Sequence, residues 1–313
     1  MPPRGSVPPR GSVPPRASVP VAALAAALAT QGCFAQSENE RPDTQVVQQA
    51  ALEDHRDADL LVQARGMWVW STTKRLDDPN AAEVILATCA KAGINEVYLS
   101  IGNGALKHPK FGALAKALYD AGIRVEALMG EADWYAAENR HEMLAAIDDV
   151  AAMNAQIGGK IAAVHLDIEP HQIEANRGDH GFLPELAETL RIAREHAASA
   201  GMSTSADLPR FALDEGAALF ASAAQRLFVM LYQLRDPSSS WLARQSGAVI
   251  EETYARANPS LRGRLVVALR VEDYGGGTHP MAAGLDDAHR AKSRYGGWAI
   301  HDEAKLRAAL DPT

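Results

Sequence analysis

The sequence predicts an α/β fold, a single-domain (β/α)8 TIM barrel, on three observations. Short β-rich runs alternate with amphipathic helical stretches from residue 66 to the end of the chain. Eight such runs occur, with starts 25 to 41 residues apart, and each interval has room for a strand, a helix and two loops. No run is followed by the G-x-G-x-x-G turn of a dinucleotide-binding sheet. Eight units in about 250 residues close into a barrel more economically than they spread into an open doubly wound sheet, the alternative arrangement.

The chain begins with segments that do not fit a barrel. Residues 2–19 repeat a six-residue unit, PPRGSV, PPRGSV, PPRASV, whose prolines cannot nucleate a helix. The run from Val19 to Ala29 is apolar for eleven residues, short of the ~20 that span a bilayer. Residues 1–35 therefore read as a secretory signal, with Cys33-Phe34-Ala35 as a small-x-small cleavage site and Gln36 as the new N-terminus. An alternative processing site at Gly32-Cys33 would anchor a lipoprotein through Cys33. The expected location is periplasmic or secreted. Residues 36–64 are polar and read as a linker or surface segment, and residues 65–313 as the catalytic barrel domain.

The strand candidates are GMWVWS from Gly66, INEVYLSI from Ile94, IRVEALMG from Ile123, IAAVHLDIE from Ile161, MSTSADLP from Met202, LFVMLYQL from Leu227, RLVVALRVE from Arg264 and GGWAIH from Gly296. Most are rich in β-branched or aromatic residues. Helical patterns lie between them at 81–93, 111–122, 141–158, 183–201, 214–226, 246–257 and 281–295, several stopping at a glycine, the usual C-terminal signal. The glycine run Gly275–Gly277 lacks a G-K-[ST] pattern and reads as a flexible loop rather than a phosphate cradle.

Charge narrows the partners. The first 36 residues carry three arginines and no acid, so the remainder holds 28 basic against 39 acidic side chains. That excess of acid argues against nucleic acid or an anionic membrane, which need clustered Lys and Arg. With only two cysteines, Cys33 and Cys89, neither a disulfide framework nor a cysteine metal site is available. Cys89 falls in an amphipathic helical stretch and reads as a small buried hydrophobe.

A barrel places its site at the C-terminal ends of its strands. In the fourth run, period-two alternation sends Val164, Leu166 and Ile168 toward the helices and His165, Asp167 and Glu169 inward. Three ionisable groups on the inward face of a core strand are costly unless they pair or do chemistry. Pro170 then leaves Glu169 at the mouth. Ala268, Arg270 and Glu272 share a face of the seventh run, so Glu169 and Glu272 are expected to flank one bond as the pair of a retaining glycosidase, one as acid/base and one as nucleophile. Asp167 would raise the pKa of Glu169, as a general acid requires. Trp70, Glu131, Trp134, His171, Asp207, Tyr232, Gln233 and His301 sit at, near or beyond strand ends, Trp298 lies within the eighth run, and all are expected to hold substrate. Aromatic rings stack on pyranose faces, and the polar groups bind hydroxyls.

From about Arg65 to Leu310 the chain resembles a group of largely uncharacterised bacterial TIM-barrel proteins grouped with the glycoside hydrolases. The resemblance rests on RGMWVW at 65–70, AAVHLDIEPH at 162–171, VALRVED at 267–273 and GGWAIHDEAKLRAAL at 296–310. It implies that Glu169 is the acid/base. A looser similarity is to family-18 chitinases, whose D-x-x-D-x-D-x-E strand ends in the catalytic acid and whose Met-x-Tyr strand and strand-8 tryptophan line the sugar site. Asp167-x-Glu169, Met230-x-Tyr232 and Trp298 match that pattern, whereas Ala162 and His165 stand where its first two acids would be.

The function expected is an exported glycoside hydrolase acting on a polysaccharide or oligosaccharide, with no cofactor and no metal. Two alternatives are a carbohydrate-binding barrel without turnover and a metal-dependent hydrolase using His165, Asp167, Glu169 and His171. The latter lacks an H-x-H pair or an H-E-x-x-H helix.

Overall fold

The computed structural model of the chain describes residues 63–232, 258–261, 263–274 and 296–311. The leader, nearly all of the polar segment, the helical patterns at 246–257 and 281–295, Gly275–Gly277 and Gln233 lie outside the described residues. Eight parallel strands close into a barrel in sequence order: β1 (Ala64–Val69), β2 (Glu96–Ser100), β3 (Arg124–Met129), β4 (Ala163–Leu166), β5 (Ser203–Pro209), β6 (Arg226–Met230), β7 (Leu265–Arg270) and β8 (Gly297–His301). The ring is sealed by pairing of β1 with β8, Ala64 opposite Gly297 and Met67 opposite Ile300. All eight predicted runs are strands of the expected fold.

The described helices are α1 (Thr72–Asp77), α2 (Ala81–Ala92), α3 (Phe111–Asp120), α4 (Arg140–Gln156), α5 (Leu183–Ser199), α6 (Arg210–Phe220) and α7 (Glu303–Leu310). The helix predicted from residue 214 begins at Arg210, directly after Pro209 closes β5 in extended backbone. Gly93, with φ of 66°, ends α2 in the left-handed conformation that glycine adopts without penalty. None of the described helices is long and apolar enough to cross a membrane.

Period-two alternation splits the strand side chains into two layers. The outward set, with Val97, Val125, Val164, Leu166, Leu227 and Ile300, packs under the helices. Cys89 belongs to this layer as a buried free thiol, and burial pushes its pKa up to about 12. The inward set, Trp68, Tyr98, Leu128, Phe228, Val266, Ala268 and Ala299, fills the barrel. Space for the Tyr98 ring depends on Gly66, where a Cβ would lie 2.0 Å from the phenolic oxygen. We expect Gly66→Ala to destabilise the barrel by at least about 1–3 kcal/mol, the cost of overpacking a filled core, measured by denaturant unfolding.

Below the aromatic layer the interior is ionic. Arg226 on β6 donates to Glu96 Oε1 on β2 at 2.7 Å and to Glu126 Oε1 on β3 at 2.9 Å, and all three side chains are almost wholly inaccessible. Tyr98 adds a 3.2 Å bond to Glu96, and Arg124 a 3.0 Å bond to Glu126. Burial alone would raise the Glu126 pKa, but the guanidiniums of Arg226 and Arg124 and the ring of His165 hold it well below the carboxylate range.

Candidate active site

A cavity of about 370 Å³ opens at the C-terminal ends of the strands. Its chemistry comes from Asp167, Glu169, Asp207, Tyr232 and His301, and its ring faces from Trp68 and Trp70. β4 hydrogen-bonds as a strand only to Leu166, three residues short of the predicted end. The chain nevertheless stays alongside β3, since the Asp167 amide donates to the Met129 carbonyl at 2.9 Å. Gly130 makes this approach feasible, because a Cβ there would lie 2.0 Å from the Asp167 carbonyl oxygen. Pro170 then turns the chain into a 3-10 segment, Pro170–Gln172, which leaves Glu169 on the cavity wall. Gln172 folds back so that its amide donates to Glu169 Oε2, and His171 Nε2 stands 3.5 Å from Glu169 Oε1.

The carboxyl groups differ because their surroundings do. Burial, then the nearby Asp207 and Glu169 carboxylates, push the Asp167 pKa far above the usual range. Burial, then Asp207, raise Glu169 to about 7, against the lowering effect of the Gln172 hydrogen bond. Asp207 thus joins Asp167, whose interaction with Glu169 is mutual, in the carboxyl cluster around Glu169. Burial also lowers His171 and His301, so both imidazoles are neutral near pH 7. The Tyr232 phenol is pushed up by burial and by all three carboxylates, and it stays a hydrogen-bond donor. Oδ1 of Asp167, Oδ1 of Asp207, the indole nitrogen of Trp68 and Nδ1 of His301 are buried with no partner in the protein. A cavity edged by unpaired donors and acceptors is built for a polar guest.

Several predicted residues meet at this cavity. Asp167, Glu169, Trp70, Glu131, Asp207, Tyr232 and His301 line it, with the His301 ring between Trp70 at 5.7 Å and Tyr232 at 5.8 Å. His171 reaches it only through Glu169. Three others are placed elsewhere. Glu272 lies in a 3-10 turn beyond β7, half-exposed and paired with Lys305, because the extended alternation that would aim it inward stops at Arg270. Trp298 belongs to the outward layer under the helices, since inward Ala299 and His301 force their neighbours out. Trp134 follows a turn after β3, is buried in the same layer and donates to Glu142 at 3.3 Å. Gln233 lies outside the described residues. Removing the Glu272 charge with Glu272→Gln is therefore expected to cost under ~1 kcal/mol of stability and to leave turnover at the wild-type level, checked by thermal unfolding and initial rates.

Sequence reasoning missed Trp68, Gly130, Ala132 and Gln172 at the cavity and the ionic network beneath it, whereas Met230, matched only through the chitinase-like Met-x-Tyr pattern, does line the cavity. The signal for Trp68 and Glu126 was present, because alternation puts Trp68 on the face of Trp70 and Glu126 on that of Leu128. Ser205, His165 and Asp207 form a serine–histidine–carboxylate row, with Ser205 Oγ 2.7 Å from His165 Nδ1 and His165 Nε2 2.9 Å from Asp207 Oδ2. Ser205 is the buried end of this row and Asp207 the end at the cavity, so the serine is not placed to attack a substrate. The four residues weighed as metal ligands do not converge, since His165 spends both ring nitrogens on the row below the cavity. Among the described residues, no group of three or more His, Cys, Asp or Glu could hold a metal ion.

No protein-family model matches the chain, and comparison with curated proteins finds no match in sequence. Its structure is similar to a chitinase from Chromobacterium violaceum, with a TM-score of 0.50 and 11% identity over 80% of this chain and 98% of that one. It is also similar to the PgaB (BpsB) glycoside hydrolase domain from Bordetella bronchiseptica, with a TM-score of 0.51 and 10% identity over 80% and 99% of the two chains. A sugar phosphate isomerase/epimerase from Parabacteroides distasonis matches at a TM-score of 0.47 and 13% identity, covering 80% and 94%. At these identities the likeness is one of fold, a TIM barrel shared with that chitinase and that glycoside hydrolase domain.

Proposed function

We propose that the chain is an exported glycoside hydrolase that cleaves O-glycosidic bonds of an oligosaccharide or polysaccharide, with Glu169 as the proton donor. The observation that carries this reading is a carboxyl raised to about 7 on the wall of a barrel-mouth cavity that also holds Asp167 and Asp207. A carboxylic acid half-protonated near neutrality is matched to giving a proton to a leaving oxygen. In the reaction, Glu169 protonates the glycosidic oxygen as the bond to the anomeric carbon breaks, and the bonding pair leaves with that oxygen. The positive charge on the sugar ring is stabilised by carboxylate. Water adds to the anomeric carbon, and its proton passes to a carboxylate of the cavity, so one water is consumed per bond. Trp70 and Tyr232 offer ring faces for a pyranose, and the unpaired Asp167, Asp207 and His301 atoms offer partners for its hydroxyls.

With Glu272 paired to Lys305 on the surface, the pairing of carboxylates from the fourth and seventh strands drops out of the mechanism. The names chitinase and glycoside hydrolase, borne by two barrels of the same fold, accord with the proposal. Export is supported by the arginine-bearing, then apolar, first 35 residues. The test is incubation of the purified protein with a panel of polysaccharides, reading new reducing ends. Hydrolysis of at least one glycan supports the reading. Binding by calorimetry with no new reducing ends would replace it with a carbohydrate-binding barrel.

A further inference from the structure

The row beneath the cavity holds one proton whose position is free and several whose positions are fixed. Glu126 is pinned as a carboxylate by Arg226 at 2.9 Å and Arg124 at 3.0 Å. Its other oxygen, Oε2, accepts the hydroxyl proton of Ser205. Ser205 has no second proton, so its oxygen must accept from His165 Nδ1 at 2.7 Å, and Nδ1 carries a hydrogen. What remains is the proton between His165 Nε2 and Asp207 Oδ2, 2.9 Å apart. With that proton on nitrogen, an imidazolium faces a carboxylate. With it on oxygen, both groups are neutral.

We propose that His165 is a positioning residue that presents Asp207 to the cavity as an ionised carboxylate, through a buried chain running Arg226–Glu126–Ser205–His165–Asp207. The proposal rests on the glycosidase reading and deepens it, naming Asp207 as the carboxylate that meets the developing positive charge while Glu169 gives its proton. The ring of His165 is wholly buried and held by Tyr98 at 4.5 Å and Phe228 at 4.6 Å, centroid to centroid, so it cannot turn away from Asp207. Asp207 keeps one oxygen on His165 and leaves Oδ1 buried and unpaired in the residue that lines the cavity. The charged groups around the ring are Glu126 from β3, Asp207 from β5, Arg226 from β6 behind Glu126, and Asp167 just past the end of its own strand. Tyr98 from β2 stays protonated, since burial and then Glu96 and Glu126 raise it. Burial by itself would lower the His165 pKa, but the Asp207 carboxylate, then its hydrogen bond and that of Glu126, raise it to about 9. The proton therefore sits on nitrogen throughout the neutral range.

The experiment is long-range proton–nitrogen NMR on the full chain with 15N-labelled histidine, assigning His165 by its absence in His165→Gln. The expected spectrum shows both His165 nitrogens protonated at pH 7, with titration only near pH 9. In Asp207→Asn the same resonances should titrate at lower pH. A neutral His165 at pH 7, or a titration unmoved in Asp207→Asn, overturns the proposal. Should His165→Gln not fold, nuclear Overhauser contacts of the ring with Tyr98 and Phe228 make the assignment. Activity separates this proposal from the reading it rests on. If a glycan is hydrolysed, His165→Gln should lower kcat by at least about tenfold with KM little changed, the pattern for a group felt mainly in the transition state. A kcat at the wild-type level in folded His165→Gln would also overturn it. If no glycan is hydrolysed but the NMR signature holds, the glycosidase reading fails while the ionised pair stands.

Discussion

Glu169→Gln is expected to reduce kcat by roughly 10²–10⁴-fold, the contribution of a positioned general acid, while the barrel remains folded. Glutamine keeps the shape and the contact with Gln172 but has no proton to give. Dependence on pH makes the expectation sharper than a loss alone. Because burial and Asp207 raise Glu169 to about 7, the acid form is present below that value, and the wild-type rate should fall as the pH rises through it. The residual rate of Glu169→Gln should lack that limb, because nothing remains at position 169 to deprotonate. Initial rates from pH 4 to 9 on any glycan found to be hydrolysed, with circular dichroism as a check of folding, make the comparison. Hydrolysis intact in folded Glu169→Gln would remove Glu169 from the mechanism.

The largest effect on stability is expected from Arg226→Met. Methionine fills most of the space of the arginine stem, but Glu96 and Glu126 are left buried without their shared counter-charge. Removing one partner of a buried ionic group costs about 3–5 kcal/mol, which for a domain of this size lowers Tm by about 6–20 °C. The sign of the pH response identifies the cause. In the wild type, Glu126 is held well below its ordinary pKa, so its contribution is present above the usual carboxylate range and is lost as the pH falls. Without Arg226 the two buried carboxylates lose the counter-charge they share, and acid relieves the strain by neutralising that buried charge. The gap between variant and wild type should therefore narrow from pH 7 toward pH 4, followed by scanning calorimetry. A loss below about 1 kcal/mol, or a gap that widens in acid, would mean that Arg226 is not compensating buried charge.

Much of the fold was legible because burial on both faces of a parallel barrel leaves short, β-rich strands punctuated by helix stops. The same alternation correctly aimed His165, Asp167 and Glu169 inward, and it extends to Asp207 and His301. It failed where the backbone ceased to be extended. Beyond Arg270 the chain enters a helical turn, and Glu272 swings to Lys305. Trp134 likewise follows a turn. Trp298 is a different error, because the alternation that sends Ala299 and His301 inward already sends Trp298 out. The ionic interior was hardest to read. Glu126 and Arg226 are 100 residues apart, and nothing local to either one shows that they meet.

The seam between β1 and β8 bears on how the chain is made. The strands that seal the ring are the first and the last in the chain, so neither edge of the seam is satisfied until the whole barrel is in place. Until Gly297–His301 arrives, β1 and β7 each present open amide and carbonyl groups, the geometry that recruits foreign strands. Admission of the final strand is narrow, since a Cβ at Gly297 would lie 2.0 Å from the Ala64 carbonyl oxygen, and its φ of 126° suits glycine alone. A sheet without this last strand is therefore an open one with two adhesive edges rather than a smaller barrel.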